Sequence, residues 1–132
     1  MARLTLGDQA FQEALQDYIR TYQFSNADHE MLFAKFTTAA QRHAKTDWCG
    51  RPLNVTKFLD PWFLQECFPL LTVTNNQPTS PAHVTQQPFN NISSLPISKF
   101  PYNYSWPIPL VSENYKNATP HFSWIKPGSC SN

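Results

Sequence analysis

The chain is short of several things that functional sites are built from. Three glycines in 132 residues are too few for a phosphate-cradling loop, and no Gly-x-Ser-x-Gly turn raises a serine as nucleophile. Charged residues make up 14% and the formal net charge is +1, so the chain has neither the basic footprint of a nucleic-acid binder nor an acidic tail. No run approaches the roughly 20 apolar residues that a membrane helix needs. The opening Met1-Ala2-Arg3-Leu4-Thr5-Leu6-Gly7-Asp8 lacks the apolar core of an export signal. Among the four histidines, His29, His43, His83 and His121, no two stand three or four apart, so no helix offers a two-histidine metal grip. The three cysteines, Cys49, Cys67 and Cys130, show no Cys-x-x-Cys spacing and leave at least one thiol unpaired. A Cys49–Cys67 bridge is the candidate disulfide if the chain is exported.

Proline is missing from the first 51 residues and crowded afterwards, with eleven of the twelve beyond residue 60. Helix interiors exclude proline, whereas turns and edge strands accept it. The pattern predicts an α+β chain, with helices first and strands after. A first helix opens at Asp8 as N-cap and runs to about Tyr22, stacking Phe11, Leu15 and Ile19 at intervals of four. A turn through Phe24-Ser25-Asn26 leads to a second helix, capped by Asn26 or Asp28, with Leu32, Phe36, Ala39 and Ala40 on one face and His43 at its end. Asn54 caps a third, whose Val55, Phe58, Leu59 and Trp62 share a face. Pro61 should kink it unless it starts later, and Pro69 stops it.

Beyond Pro69 the period becomes two. Leu71–Thr74 and His83–Gln87 read as strands, Asn75-Asn76-Gln77-Pro78 as a turn, and Asn90–Ser98 as a loop. Tyr104–Leu110 alternates with Tyr104, Trp106, Ile108 and Leu110 on one side. Its prolines at 107 and 109 make it an edge or bulged strand. His121–Ile125 repeats the alternation. Four Asn-x-Ser/Thr triplets, at Asn54, Asn91, Asn103 and Asn117, are candidate N-glycosylation sites, although Asn54 is compromised if its side chain caps a helix. Nothing in the sequence places either carboxylate pair, Glu13 with Asp17 or Asp60 with Glu66, in a cleft, and solvated helix faces are the expected reading of both.

Several of these stretches resemble the M1 family of zinc aminopeptidases. In that family a helix reading Trp-x-x-Gln-x-Gly-[Phe/Tyr]-Pro, followed by a Thr-Val strand, joins a thermolysin-like catalytic domain to a β-sandwich. Trp62, Gln65, Phe68, Pro69, Thr72 and Val73 match it, with Cys67 at the family's usual glycine. Upstream, Leu6-Gly7-Asp8-Gln9-Ala10-Phe11, Leu15-Gln16-Asp17-Tyr18-Ile19 and Phe24-Ser25-Asn26-Ala27 resemble the helices closing the catalytic domain. Downstream, Tyr104-Ser105-Trp106-Pro107-Ile108-Pro109-Leu110 is similar to a sandwich strand.

The resemblance implies a boundary near residue 70. Residues 1–70 would be the helical end of the catalytic domain, and 71–132 an incomplete antiparallel β-sandwich. It implies an extracellular or cell-surface parent that removes N-terminal residues from peptides. The family's zinc-binding His-Glu-x-x-His, its amine-binding Gly-x-Met-Glu-Asn and its catalytic tyrosine are all absent here. The expectation is therefore a fragment that is non-catalytic alone, with no catalytic or metal-binding residue and no cofactor of its own, whose partner is the remainder of the enzyme. A different class of reading is a non-catalytic extracellular glycoprotein interaction module.

Overall fold

The computed structural model describes residues 1–75, 82–89, 101–113 and 120–130. The order is α1 (Ala2–Leu6), α2 (Asp8–Tyr22), α3 (His29–Arg42), α4 (Val55–Phe63), β1 (Pro69–Thr74), β2 (His83–Pro88), β3 (Ile108–Glu113) and β4 (Pro120–Ile125). The architecture is mixed α+β, as expected. The two sheets have two antiparallel strands each, β1 with β2 and β3 with β4. Their registers run from Pro69 opposite Pro88 and from Ile108 opposite Ile125. Part of the expected turn after Thr74, and the whole loop Asn90–Ser98, lie outside the described residues.

The helices bury one continuous cluster. Leu6 of α1, Ala10 and Ala14 of α2, Phe33, Phe36, Ala39 and Ala40 of α3, Leu53, and Val55, Phe58 and Leu59 of α4 form it. Alanines at the contact let α2 and α3 approach closely, and Phe11 stacks on Phe36 with ring centroids 5.1 Å apart. Of the expected Phe11–Leu15–Ile19 stripe, Ile19 instead faces solvent with 63% of its surface exposed. An interval of four drifts about 40° per step around a 3.6-residue helix, so the stripe has rotated off the interface by the last turn.

Of the three helix caps, two agree with expectation and one does not. Asp28 is the cap of α3, its carboxylate accepting from Met31 N at 2.9 Å. Asn54 caps α4 by accepting from Lys57 N at 3.1 Å. Asp8, however, is the first residue of α2 rather than its cap. That place is Gly7, whose φ of 80° turns the sharp corner from α1. The Asp8 carboxylate pairs back to Arg3 at 2.6 Å.

Helix α4 also ends earlier than Pro69. Pro61 lies inside it, and the last helical main-chain bond is Leu64 N to Asp60 O at 2.8 Å. The next carbonyl, that of Pro61, is capped by the Gln65 side chain, whose Nε2 donates at 2.9 Å. The main chain is thus free to leave the helix. It bends through Cys67 at φ 92° before Pro69 opens β1.

The run Tyr104–Leu110 is not one strand. β3 starts only at Ile108, and Asn103 and Tyr104 both have left-handed backbone, φ 49° and 51°. Tyr104 and Trp106 are still buried, 3% and 1% exposed, and with Ile108 they form a second core. Trp62, Cys67, Leu71 and Ile125 pack on it. Trp62 has therefore left the face it was expected to share with Phe58. In exchange Trp124 of β4 packs edge-on against Phe58, centroids 5.2 Å apart, and against Trp48 at 5.8 Å. The helical and β parts exchange a tryptophan across their contact.

The disulfide joins Cys49 to Cys130, with 5.7 Å between their Cα atoms, and leaves Cys67 free. The expected Cys49–Cys67 bridge is not formed. Spacing alone does not reveal geometry, and here the geometry comes from a loop and a terminus meeting. Asp47 Oδ1 accepts from both Cys49 N and Arg51 N, at 2.8 and 2.9 Å, which curls 47–51 into a tight turn. Cys49 is presented on that turn, while Cys67 is held in the second core.

Candidate functional site

The polar chemistry of the chain gathers where α4 meets residues 102–107. Among the described residues no strand pairs with residues 102–107, and side chains satisfy their main chain instead. Gln65 Oε1 accepts from Tyr104 N at 2.7 Å while its amide caps Pro61. Trp62 Nε1 donates to Pro107 O at 3.3 Å. Gln86 of β2 accepts from Trp106 N at 3.0 Å and donates to Trp106 O at 2.8 Å. Ser105 Oγ donates to Pro127 O, which ties the stretch leading to Cys130 onto the same segment. Buried polar groups need partners, and two glutamines supply them to the main chain of Tyr104 and Trp106.

Beside the seam opens a cleft of about 470 Å³, bordered by Trp48, Lys57, Asp60, Tyr102, Asn103 and Ser105. The Tyr102 hydroxyl donates to Asp60 Oδ2 at 3.1 Å. Burial, then that hydrogen bond and the carboxylate's charge, push its ionisation up. Tyr104 is raised as well, first by burial and then by the nearby Glu66 and Cys67. Both phenols are therefore neutral donors at neutral pH, suited to positioning rather than to proton abstraction.

The other polar residues singled out from the sequence are dispersed. Glu13 and Asp17 do not form a working pair, because each is drawn to α3, Glu13 to His43 and Asp17 to Lys35, both at 2.9 Å. Asp60 faces Tyr102, and Glu66 is exposed. His29 lies flat on Phe63, centroids 6.0 Å apart. His83 and His121 are exposed on different sheets. Among the described residues no three His, Cys, Asp or Glu side chains converge as a metal site. The described residues thus do not bring together the three protein ligands that a catalytic zinc takes. Of the sequon asparagines, Asn54 is half-buried in its capping role, Asn103 is exposed, and Asn91 and Asn117 lie outside the described residues.

Sequence reasoning did not foresee the work of Gln65, Gln86 and Tyr102. A glutamine inside an otherwise apolar run is the one available signal, and it does not identify the carbonyl or amide being served.

No family model matches the chain. Individual proteins do. It is 39% identical over 120 residues to the Caenorhabditis elegans protein named "Putative aminopeptidase-2", covering 91% of this chain and 6% of that protein. Aminopeptidase N of Haemonchus contortus is 27% identical over 130 residues, 96% of this chain and 13% of its own. The human thyrotropin-releasing hormone-degrading ectoenzyme is 31% identical over 110 residues, 80% and 10% respectively. The chain thus spans 13% or less of the length of each of these relatives. Over most of its own length, the chain is therefore homologous to one segment of aminopeptidases of the M1 family.

Proposed function

We propose that this chain is the joint of an M1-type zinc aminopeptidase, in which residues 1–70 close the catalytic domain and residues 71–132 begin the β-sandwich after it. In this reading the parent reaction is removal of N-terminal amino acids from peptides. Zinc would be supplied and held by the remainder of the enzyme, where bound metal activates water. This chain's residues do mechanical work: they fix the angle between two domains. The parent acts outside the cell or at its surface, and no residue of this chain is catalytic.

One observation carries the proposal. Two residues of the family's junction motif help to build the seam, Trp62 bonded to the main chain of Pro107 and Gln65 to that of Tyr104. Cys67, at the family's usual glycine, has the left-handed backbone that favours glycine, φ 92°.

The test is to purify the 132-residue chain, measure bound zinc, and assay an aminoacyl arylamide with and without chelator. No stoichiometric zinc and no turnover are expected. One equivalent of zinc with chelator-sensitive turnover would overturn the reading.

A further inference from the structure

Asn103-Tyr104-Ser105 is an Asn-x-Ser acceptor triplet lying in the turn 101–104. Its middle residue anchors it. The Tyr104 ring is buried in the second core and Tyr104 N is held by Gln65. Asn103, one residue earlier at φ 49°, is exposed on the rim of the cleft. Asparagine tolerates that backbone better than most residues, so the turn presents an amide to solvent at little conformational cost. At Asn54, by contrast, the amide group is half-buried and its oxygen is engaged as a helix cap.

The third residue of the triplet behaves differently from the first. The Ser105 hydroxyl donates to Pro127 O, and Pro127 stands three residues before Cys130, which is bridged to Cys49. A disulfide of this kind forms in an oxidising compartment, and in eukaryotes N-glycans are added in that same compartment.

We propose that Asn103 is an N-glycosylation site, and that closing the Cys49–Cys130 bridge ends its availability by docking Pro127 onto Ser105. The donor is an oligosaccharide on a polyprenyl pyrophosphate. Asn103 Nδ2 attacks C1 of its first sugar, the C1–N bond forms and the C1–O bond to pyrophosphate breaks. Polyprenyl pyrophosphate leaves, and the amide gives up one proton. The Ser105 hydroxyl must be free for the triplet to be recognised, so transfer precedes disulfide closure. This inference stands apart from the catalytic reading of the parent enzyme.

The experiment is cell-free translation of the full chain behind a cleavable export signal, with microsomes present. Protected, signal-cleaved product is collected and treated with amidase in heavy-oxygen water. Peptide mass spectrometry then reads which asparagines have become labelled aspartates. Label is expected at residue 103, lost in Ser105→Ala and kept in Ser105→Thr. Occupancy should rise in Cys130→Ser, and to the same level in the unaltered chain when reductant is present during translation. Translocated chains without label at 103, or with more at 54 than at 103, would overturn the site. Equal occupancy in the unaltered chain and Cys130→Ser would overturn the closure.

Discussion

Gln86 bonds both main-chain groups of Trp106, accepting from its N–H at 3.0 Å and donating to its carbonyl at 2.8 Å. The same amide donates to Lys126 O at 3.0 Å. One side chain on β2 thus does for residue 106 what a neighbouring strand would do. It also connects the two sheets, which share no ladder among the described residues. The chain can therefore bury Trp106 next to two prolines without a strand partner there.

Gln86→Leu keeps the bulk and removes all three bonds, leaving the Trp106 N–H and two carbonyls to find water at a closed seam. Unsatisfied buried groups cost about 1–3 kcal/mol each. Partial access to water should hold the total to about 2–3 kcal/mol. The expected result is a lower urea midpoint with an unchanged slope, because the surface exposed on unfolding is the same. A midpoint within error of the parent chain would show that the clamp is dispensable.

The fold was legible wherever one period governed. Asp28, Asn54 and the buried positions Phe36, Ala39, Val55 and Phe58 follow from capping chemistry and the helical repeat. The strands His83–Pro88 and Pro120–Ile125 follow from alternation. Tyr104–Pro107 was misleading because alternation does not show what satisfies the main chain, and Pro107, on the other side of the pattern, is buried too. Both buried aromatics are real, but glutamines replace the ladder. The Cys49–Cys130 bridge was hidden for another reason: it depends on a loop turned by Asp47 and on β4 folding back over Phe58. At the candidate site the motif residues Trp62 and Gln65 were visible, while their main-chain partners, about 40 residues away, were not.

Cys67 sits in a backbone conformation, φ 92°, that a side chain adopts at a cost of roughly 1–2 kcal/mol. Cys67→Gly removes that strain. It also gives up the packing of the thiol on the second core and adds freedom to the unfolded chain. The net expectation is stabilisation by about 0.5–1 kcal/mol. Cys67→Val, β-branched at a left-handed position, should destabilise by more than Cys67→Gly stabilises. Thermal melts of the two variants under the same conditions check the order, and a glycine variant less stable than the parent would show that packing outweighs strain.

Reduction should separate Trp124 from the helices. The bridge closes a loop between residues 81 apart. Losing a native disulfide from a small domain costs about 2–5 kcal/mol. Here the loss falls on the contact of Trp124 with Phe58 and Trp48, so tryptophan fluorescence should shift red along with the lowered melting temperature. Alkylation of the unreduced chain should modify Cys67 alone. A peptide map in which Cys67 is cross-linked to Cys49 would contradict the pairing.

The α2–α3 hairpin should weaken in acid. Glu13 is held below the ordinary carboxylate range chiefly by its hydrogen bond to His43, with burial opposing. Asp17 is held down in the same way by Lys35. A carboxylate whose ionisation is depressed by folding binds fewer protons folded than unfolded. Its contribution is therefore complete above its unfolded value and disappears as pH falls through the folded one. With ordinary values of 4.5 and 3.8, the urea midpoint should be level from neutral pH to about 5 and fall below it. Both carboxylates are 40% or more exposed, so each pair is modest and weakens with salt. Asp8, lowered by Arg3, adds a fall of the same sign that no change at α3 removes. The comparison that isolates the hairpin is therefore the double variant Glu13→Gln, Asp17→Asn. It should be less stable than the parent at pH 7, lose less on acidification, and approach the parent's curve as acid protonates both carboxylates. Parallel curves across that range would mean the two cross-helix pairs contribute nothing, and that packing such as that of Phe11 on Phe36 holds α2 to α3.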